Sequence, residues 1–224
     1  MTFYSVYKAL FEHFGSQHWW PADTPFEVMV GAVLTQNTAW TNVEKAIANL
    51  KENDALQAAA MARTPSEELA RLIRPAGYFN VKAKRLKNFC QWYLAQGEKQ
   101  SLAQWRDHEL REGLLSVNGV GPETADDMLL YAFNRPVFVI DAYTRRLFSR
   151  LGLINGDEAY EELRRLFEQT LGEQNQDRKA QIKLFNEYHA LIVIHAKDYC
   201  RKRPQCDECC LRSHCPQTEM KDYV

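Results

Sequence analysis

Residues 114–146 read LLSVNGVGPETADDMLLYAFNRPVFVIDAYTRR. Two apolar, helix-like runs, 109–117 and 122–133, are joined by Asn118-Gly119-Val120-Gly121, and a lone acid, Asp141, follows a Pro-containing apolar segment. Glycine permits positive φ and lets the backbone come close to a partner. Pro122 suits the first turn of the second helix, where its missing N–H costs nothing. Amides at such a turn point outward with the positive end of a helix dipole behind them, which makes a phosphate site. A site of that kind positions a nucleic acid without choosing its sequence. An ordinary αα-turn is the other reading of the same spacing. Asp141 stands directly before AYTRRLFSRLG and is expected to N-cap that helix.

Working outward, the chain reads as helical almost throughout, with about ten helices expected. TPFEVMVGAVLTQ opens on Thr24-Pro25, a good N-cap and first-turn pair. AWTNVEKAIANLKEN places Trp40, Val43, Ala46, Ile47 and Leu50 on one face, and SEELARLIRPAG ends at Pro75-Ala76-Gly77. Only PVFVI (136–140) looks strand-like, and it is too short to build a sheet. The fold class expected is therefore all-α. The 224 residues, 46% hydrophobic and 25% charged, suffice for one large domain or two small ones. A net charge of −1 excludes a global basic field, so a polyanion would have to be held by local patches. No apolar run approaches the roughly 20 residues of a membrane span, and the first residues show no signal-peptide core. A cytoplasmic protein is expected.

Six cysteines are present; Cys90 stands alone and five lie within CRKRPQCDECCLRSHC. The spacing Cys200-x5-Cys206-x2-Cys209-x5-Cys215 in a reducing compartment suggests a metal centre over disulfides. Zinc ribbons usually offer two C-x-x-C pairs and this chain offers one, so a compact [4Fe–4S] wrap suits it better, with zinc the alternative. Cys210 is read as a bystander. Arg201, Lys202 and Arg203 lie between the first two cysteines, where a fixed loop would present them to phosphates.

SVNGVGPETAD followed by VFVIDAYTRRLFSRLG resembles the helix-hairpin-helix, Gly/Pro-rich loop and catalytic aspartate of the endonuclease III superfamily of DNA glycosylases. The resemblance covers roughly residues 24–215. It implies two helical lobes: a six-helix lobe at 27–136, carrying the hairpin, and a lobe of 1–26 with 137–224, holding the iron–sulfur loop at 200–215. It implies a DNA N-glycosylase of base excision repair, acting as a monomer on double-stranded DNA that contains a damaged base, with Asp141 catalytic. The cysteine loop is similar to the family's, with a first spacer one residue shorter. Because a duplex hides its base atoms, such an enzyme extrudes its target. By resemblance Gln36 of LTQNTAW fills the gap, and Tyr78 of GYFNVKAKRLK is the wedge in the opposite strand. Lys82 would reach phosphates from the helix that follows. Asn118, Gly119, Val120 and Gly121 would hold the backbone.

HWWPADTP together with LTQNTAW looks like the 3-methyladenine branch of the superfamily. There Trp19, Trp20, Pro21 and Trp40 would sandwich the flipped base. Members of that branch exist without the cysteine loop, whereas this chain has both features. Electron-rich rings attract a cationic base by about 1–2 kcal/mol when desolvated, and a 3-alkylated purine is such a base. Bifunctional members carry a lysine two residues after the second hairpin glycine, whose amine forms a Schiff base. Glu123 occupies that position, beside the base pocket, and a carboxylate cannot form an imine. The implied reaction is hydrolysis, with Asp141 stabilising the sugar cation and orienting water. Two other readings are a bifunctional lyase drawing on Lys82 or Lys197, and a non-catalytic DNA-binding module.

Overall fold

A computed structural model describes residues 1–17, 19, 22–173 and 177–217. Twelve α-helices follow in order among the described residues: α1 (Phe3–Phe14), α2 (Pro25–Leu34), α3 (Trp40–Glu52), α4 (Ala58–Arg63), α5 (Ser66–Leu72), α6 (Phe79–Ala95), α7 (Glu98–Leu102), α8 (Asp107–Leu115), α9 (Pro122–Asp127), α10 (Ala142–Arg150), α11 (Tyr160–Gly172) and α12 (Arg178–Asp198). There is no strand among these residues. None of the helices is long and apolar enough to cross a membrane. The chain divides into two compact units, Met1–Pro21 with Pro136–Val224, and Ala22–Arg135.

The approach to α2 is tied to the Ala22–Arg135 unit. Thr24 caps α2 by accepting the Glu27 amide at 3.1 Å. Asp23 pairs with Lys51 of α3 at 2.7 Å. α2 is the central helix of this unit, and every residue from Glu27 to Leu34 is buried. That explains why its pattern is a continuous apolar run and not a stripe. α4 and α5 pack on α6. α9 passes into a π-helical turn, Met128–Ala132, with the Phe133 amide donating to Met128 O at 3.1 Å.

The terminal unit is built on an aromatic core. Phe3 of α1 meets Phe148 of α10 at 5.1 Å and Phe167 of α11 at 4.7 Å between ring centroids, and Phe138 stacks on Phe167 at 4.6 Å. Such pairs contribute about 0.5–1.5 kcal/mol each beyond area burial. Phe138 belongs to the PVFVI segment, which runs extended with Val137 to Ile140 all buried. It has no partner strand among the described residues. Instead the Phe138 amide donates to Glu168 Oε1 at 3.0 Å and the Ile140 amide to the Tyr160 hydroxyl at 3.5 Å. Side chains thus satisfy the donors of a buried extended segment, and its anchored end fixes where Asp141 begins α10.

Candidate active site

Asp141 caps α10. Its backbone is extended (φ −93°, ψ 178°) and Oδ1 accepts the Thr144 amide at 2.7 Å. Oδ2 lies 3.6 Å from Nε2 of His189 on α12, and the Asp141 side chain keeps 12% of its surface exposed. Burial alone pushes its carboxyl up, but the His189 imidazole and the Thr144 amide outweigh burial and hold it below the usual carboxylate range. With the folded pKa depressed, the stabilisation this ionisation contributes is present above the unfolded value and lost as pH falls through the folded one. Near neutrality the group is a fixed anion, able to stabilise positive charge but a weak proton donor.

The same helix organises the segment before Trp19. Glu187, buried on α12, accepts the Ser16 hydroxyl at 2.9 Å and the Gln17 amide at 2.5 Å. Lys197 Nζ sits 5.6 Å from the centroid of the half-buried Trp19 ring. Trp20 and Pro21, expected beside it, lie outside the described residues.

In the other unit the hairpin has two different glycines. Gly119 has φ +103°, and a Cβ there would meet Arg85 Cγ at 2.2 Å, so both conformation and packing require glycine. Gly121 has φ −92°, and an added Cβ would meet nothing within 4 Å. Nothing in the chain's own packing demands a glycine there. Gly121, Pro122 and Glu123 are exposed, as is Asn118, whose carbonyl accepts Asn88 Nδ2 at 3.0 Å. Val120 is a correction. Its side chain is 5% exposed and its amide donates to Val117 O at 3.0 Å, so both are spent inside the fold and neither serves DNA. The two hairpin helices are clamped by a bidentate pair. Arg111 Nε and Nη2 of α8 donate to Asp126 of α9 at 2.7 and 3.1 Å, and Asp126 is fully buried.

Gln36 is tied to that hairpin. Its Nε2 donates to Gly119 O at 3.1 Å and Thr124 Oγ1 at 2.9 Å, while Arg85 donates to its Oε1. Trp40 opens α3, half-buried, with Nε1 donating to Glu44 at 3.0 Å. Tyr78 is not a core tyrosine. It is 71% exposed and held at φ 45°, ψ 31° before α6. A bulky residue in the left-handed region, with its ring in solvent, is strained and costly to keep without a use.

Lys82 is the second correction. It is 1% exposed, and Nζ donates to Leu34 O at 2.8 Å and Ala76 O at 2.7 Å, the carbonyls that end α2 and the Arg74–Ala76 3-10 turn between α5 and α6. It cannot reach a phosphate. Desolvation, assisted by Arg85, lowers its pKa to about 8. That value would suit an amine nucleophile, but an Nζ enclosed and bonded to two carbonyls has no path to a sugar.

Cys200, Cys206, Cys209 and Cys215 line one cavity in the terminal unit, and Cys210 is not among its walls. Among the described residues no three His, Cys, Asp or Glu side chains form a single-ion cage. Four thiols lining one cavity are a donor set that fits a sulfur-ligated group. Arg150 Nη1 donates to Cys200 Sγ at 3.2 Å, and His195 Nε2 lies 3.2 Å from Cys209 Sγ, contacts of the kind that tune cluster thiolates. Burial first, then the neighbouring thiols, pushes the Cys209 and Cys215 thiols up. A bound metal centre would reverse that by taking thiolates. The loop is pinned from α10. Arg146 Nε donates to Cys200 O at 2.7 Å, and Arg150 reaches the carbonyls of Arg201 at 2.6 Å and Lys202 at 3.2 Å. The side chains of Arg201, Lys202 and Arg203 are left exposed.

Residues 30–173 match the model of the HhH-GPD superfamily base excision DNA repair proteins. The chain belongs to this superfamily. A Methanocaldococcus jannaschii protein named as a DNA repair glycosylase is 47% identical over 95% of this chain and 94% of its own length. Endonuclease III of Sulfolobus acidocaldarius is 28% identical, covering 85% of this chain and 81% of that one. Among solved structures, a Helicobacter pylori 3-methyladenine DNA glycosylase bound to 1,N6-ethenoadenine superposes with a TM-score of 0.77 at 31% identity, over 88% of this chain and 98% of that one. An endonuclease III–DNA complex gives 0.81 at 21% identity over 99% and 97%, a likeness of fold. This HhH-GPD protein is a DNA N-glycosylase of base excision repair. Three parts of its site carried no sequence signal: His189 beside Asp141, Glu187 against Ser16 and Gln17, and Arg146 and Arg150 under the cysteine loop. All act across long sequence separations, and only the packing of α10 and α12 brings them into place.

Proposed function

We propose that the protein is a monofunctional glycosylase that hydrolyses the N-glycosidic bond of an alkylated purine in duplex DNA. The observation that carries the monofunctional reading is Glu123, exposed in the first turn of α9 where bifunctional relatives hold the Schiff-base lysine. The enclosed amine of Lys82 supports it further. In this reading Asp141, a stable anion, stabilises the oxocarbenium-like sugar and orients the attacking water. The alkylpurine reading rests on the tryptophans at 19, 20 and 40 and on the likeness to a 3-methyladenine glycosylase. Aromatic faces favour a base that already bears positive charge, whose glycosidic bond needs little acid assistance.

DNA would be gripped by Asn118, Gly119 and Gly121 of the hairpin turn, and by Arg201, Lys202 and Arg203 on the pinned loop. Tyr78, already exposed and strained, would enter the opposite strand. Gln36 would leave Gly119 and Thr124 to fill the gap of the extruded base. Cys200, Cys206, Cys209 and Cys215 would hold a [4Fe–4S] cluster, a group supported by four thiols lining one cavity and by the compact cysteine spacing. When bound, it supplies a covalent cross-link that rigidifies the 200–215 loop. The test is base release across duplexes carrying 3-methyladenine, 7-methylguanine, hypoxanthine, uracil, thymine glycol and A opposite 8-oxoguanine. Fastest release of 3-methyladenine is expected. Fastest release of an oxidised pyrimidine would overturn the substrate reading.

A further inference from the structure

The carboxylate of Asp141 is addressed from two elements. The first turn of α10 binds Oδ1 through the Thr144 amide at 2.7 Å, and α12 brings His189 Nε2 to 3.6 Å from Oδ2. His189 is 5% exposed and sits in a run of α12, Glu187 to Val193, that is buried throughout. At such a position an apolar side chain of similar volume would pack without the desolvation cost of an imidazole. Thr144 holds the carboxylate from its own helix, and the contact at Oδ2 from α12 restrains it from a second side. α10 and α12 pack directly on one another, which keeps that contact in register.

We infer that His189 is a positioning residue of the glycosylase reaction, holding Oδ2 of Asp141 so that the carboxylate presents a fixed face to the sugar cation and to water. At 3.6 Å the contact is longer than a hydrogen bond. Catalytic contacts in unliganded enzymes are often long and tighten in the substrate complex. Supporting groups of this kind set the precision of a site without touching substrate. The inference rests on the reading of Asp141 as the catalytic carboxylate.

The test compares His189→Leu, which keeps volume and removes the polar ring, with His189→Gln, which keeps an N–H donor. Each is measured beside wild type and Asp141→Asn. The readouts are thermal unfolding, affinity for duplex DNA with a tetrahydrofuran abasic analogue, and single-turnover release of whichever base in the lesion panel the wild type removes fastest. His189→Leu is expected to lose roughly 10–100-fold in the single-turnover rate, with DNA affinity within about twofold of wild type. His189→Gln is expected to recover most of that loss. Equal rates for the Leu and Gln variants would mean a packing role and would overturn the proposal. So would an unaltered rate in His189→Leu beside an inactive Asp141→Asn. Full release by Asp141→Asn would remove the Asp141 reading itself, and the His189 proposal with it.

Discussion

Asp141→Asn is expected to lower single-turnover base release by about 10²–10⁴-fold while DNA affinity stays within about twofold. The substitution is close to silent for the fold. Asparagine caps a helix about as well as aspartate, so the Thr144 amide keeps its acceptor and α10 its start. What disappears is the negative charge, held ionised by the imidazole and amide that overcome burial. A sugar passing through an oxocarbenium-like state then faces a neutral amide. At 10³-fold the loss corresponds to about 4 kcal/mol of barrier. Release within tenfold of wild type would show that the charge at Asp141 does not carry the chemistry.

Asp126→Ala is expected to destabilise the protein by about 3 kcal/mol, the lower end of the range for breaking a buried ion pair, because Arg111 retains 16% of its side-chain exposure. The pair joins α8 to α9, the two arms of the hairpin, through two parallel hydrogen bonds, so the loss falls on the element that presents Gly119 and Gly121. Urea unfolding gives the stability change. DNA affinity is expected to fall with it, while the double substitution Arg111→Met with Asp126→Leu recovers part of the stability by removing both charges. A change under about 1 kcal/mol would show that the clamp is not what holds the hairpin.

Much of this was legible in the chain because the signals are local. Thr24-Pro25 starts α2, Gly121-Pro122 starts α9 and Asp141 caps α10, each through chemistry within four residues. The cysteine spacing likewise brings four thiols to one cavity. Where the expectation failed, the deciding partner was distant. Lys82 lies among Lys84, Arg85 and Lys87 and reads as one of a solvated basic run. Its burial is decided by two unpaired helix-end carbonyls at Leu34 and Ala76 that α6 happens to cover. Val120 reads as hairpin backbone open to DNA, and its amide closes the turn onto Val117. The PVFVI segment, by contrast, builds no sheet among the described residues, as its length led one to expect, and Glu168 and Tyr160 take its donors. His189 sits in an apolar helix, and nothing in that helix points to an aspartate 48 positions earlier.

The central claim, hydrolysis without a Schiff base, is tested most directly by borohydride trapping on DNA that contains an abasic site. With Glu123 at the hairpin and Lys82 enclosed, no covalent protein–DNA adduct above background is expected, and the strand remains uncut at the abasic site. A borohydride-dependent adduct in good yield, mapped to any lysine of this chain, would contradict the account.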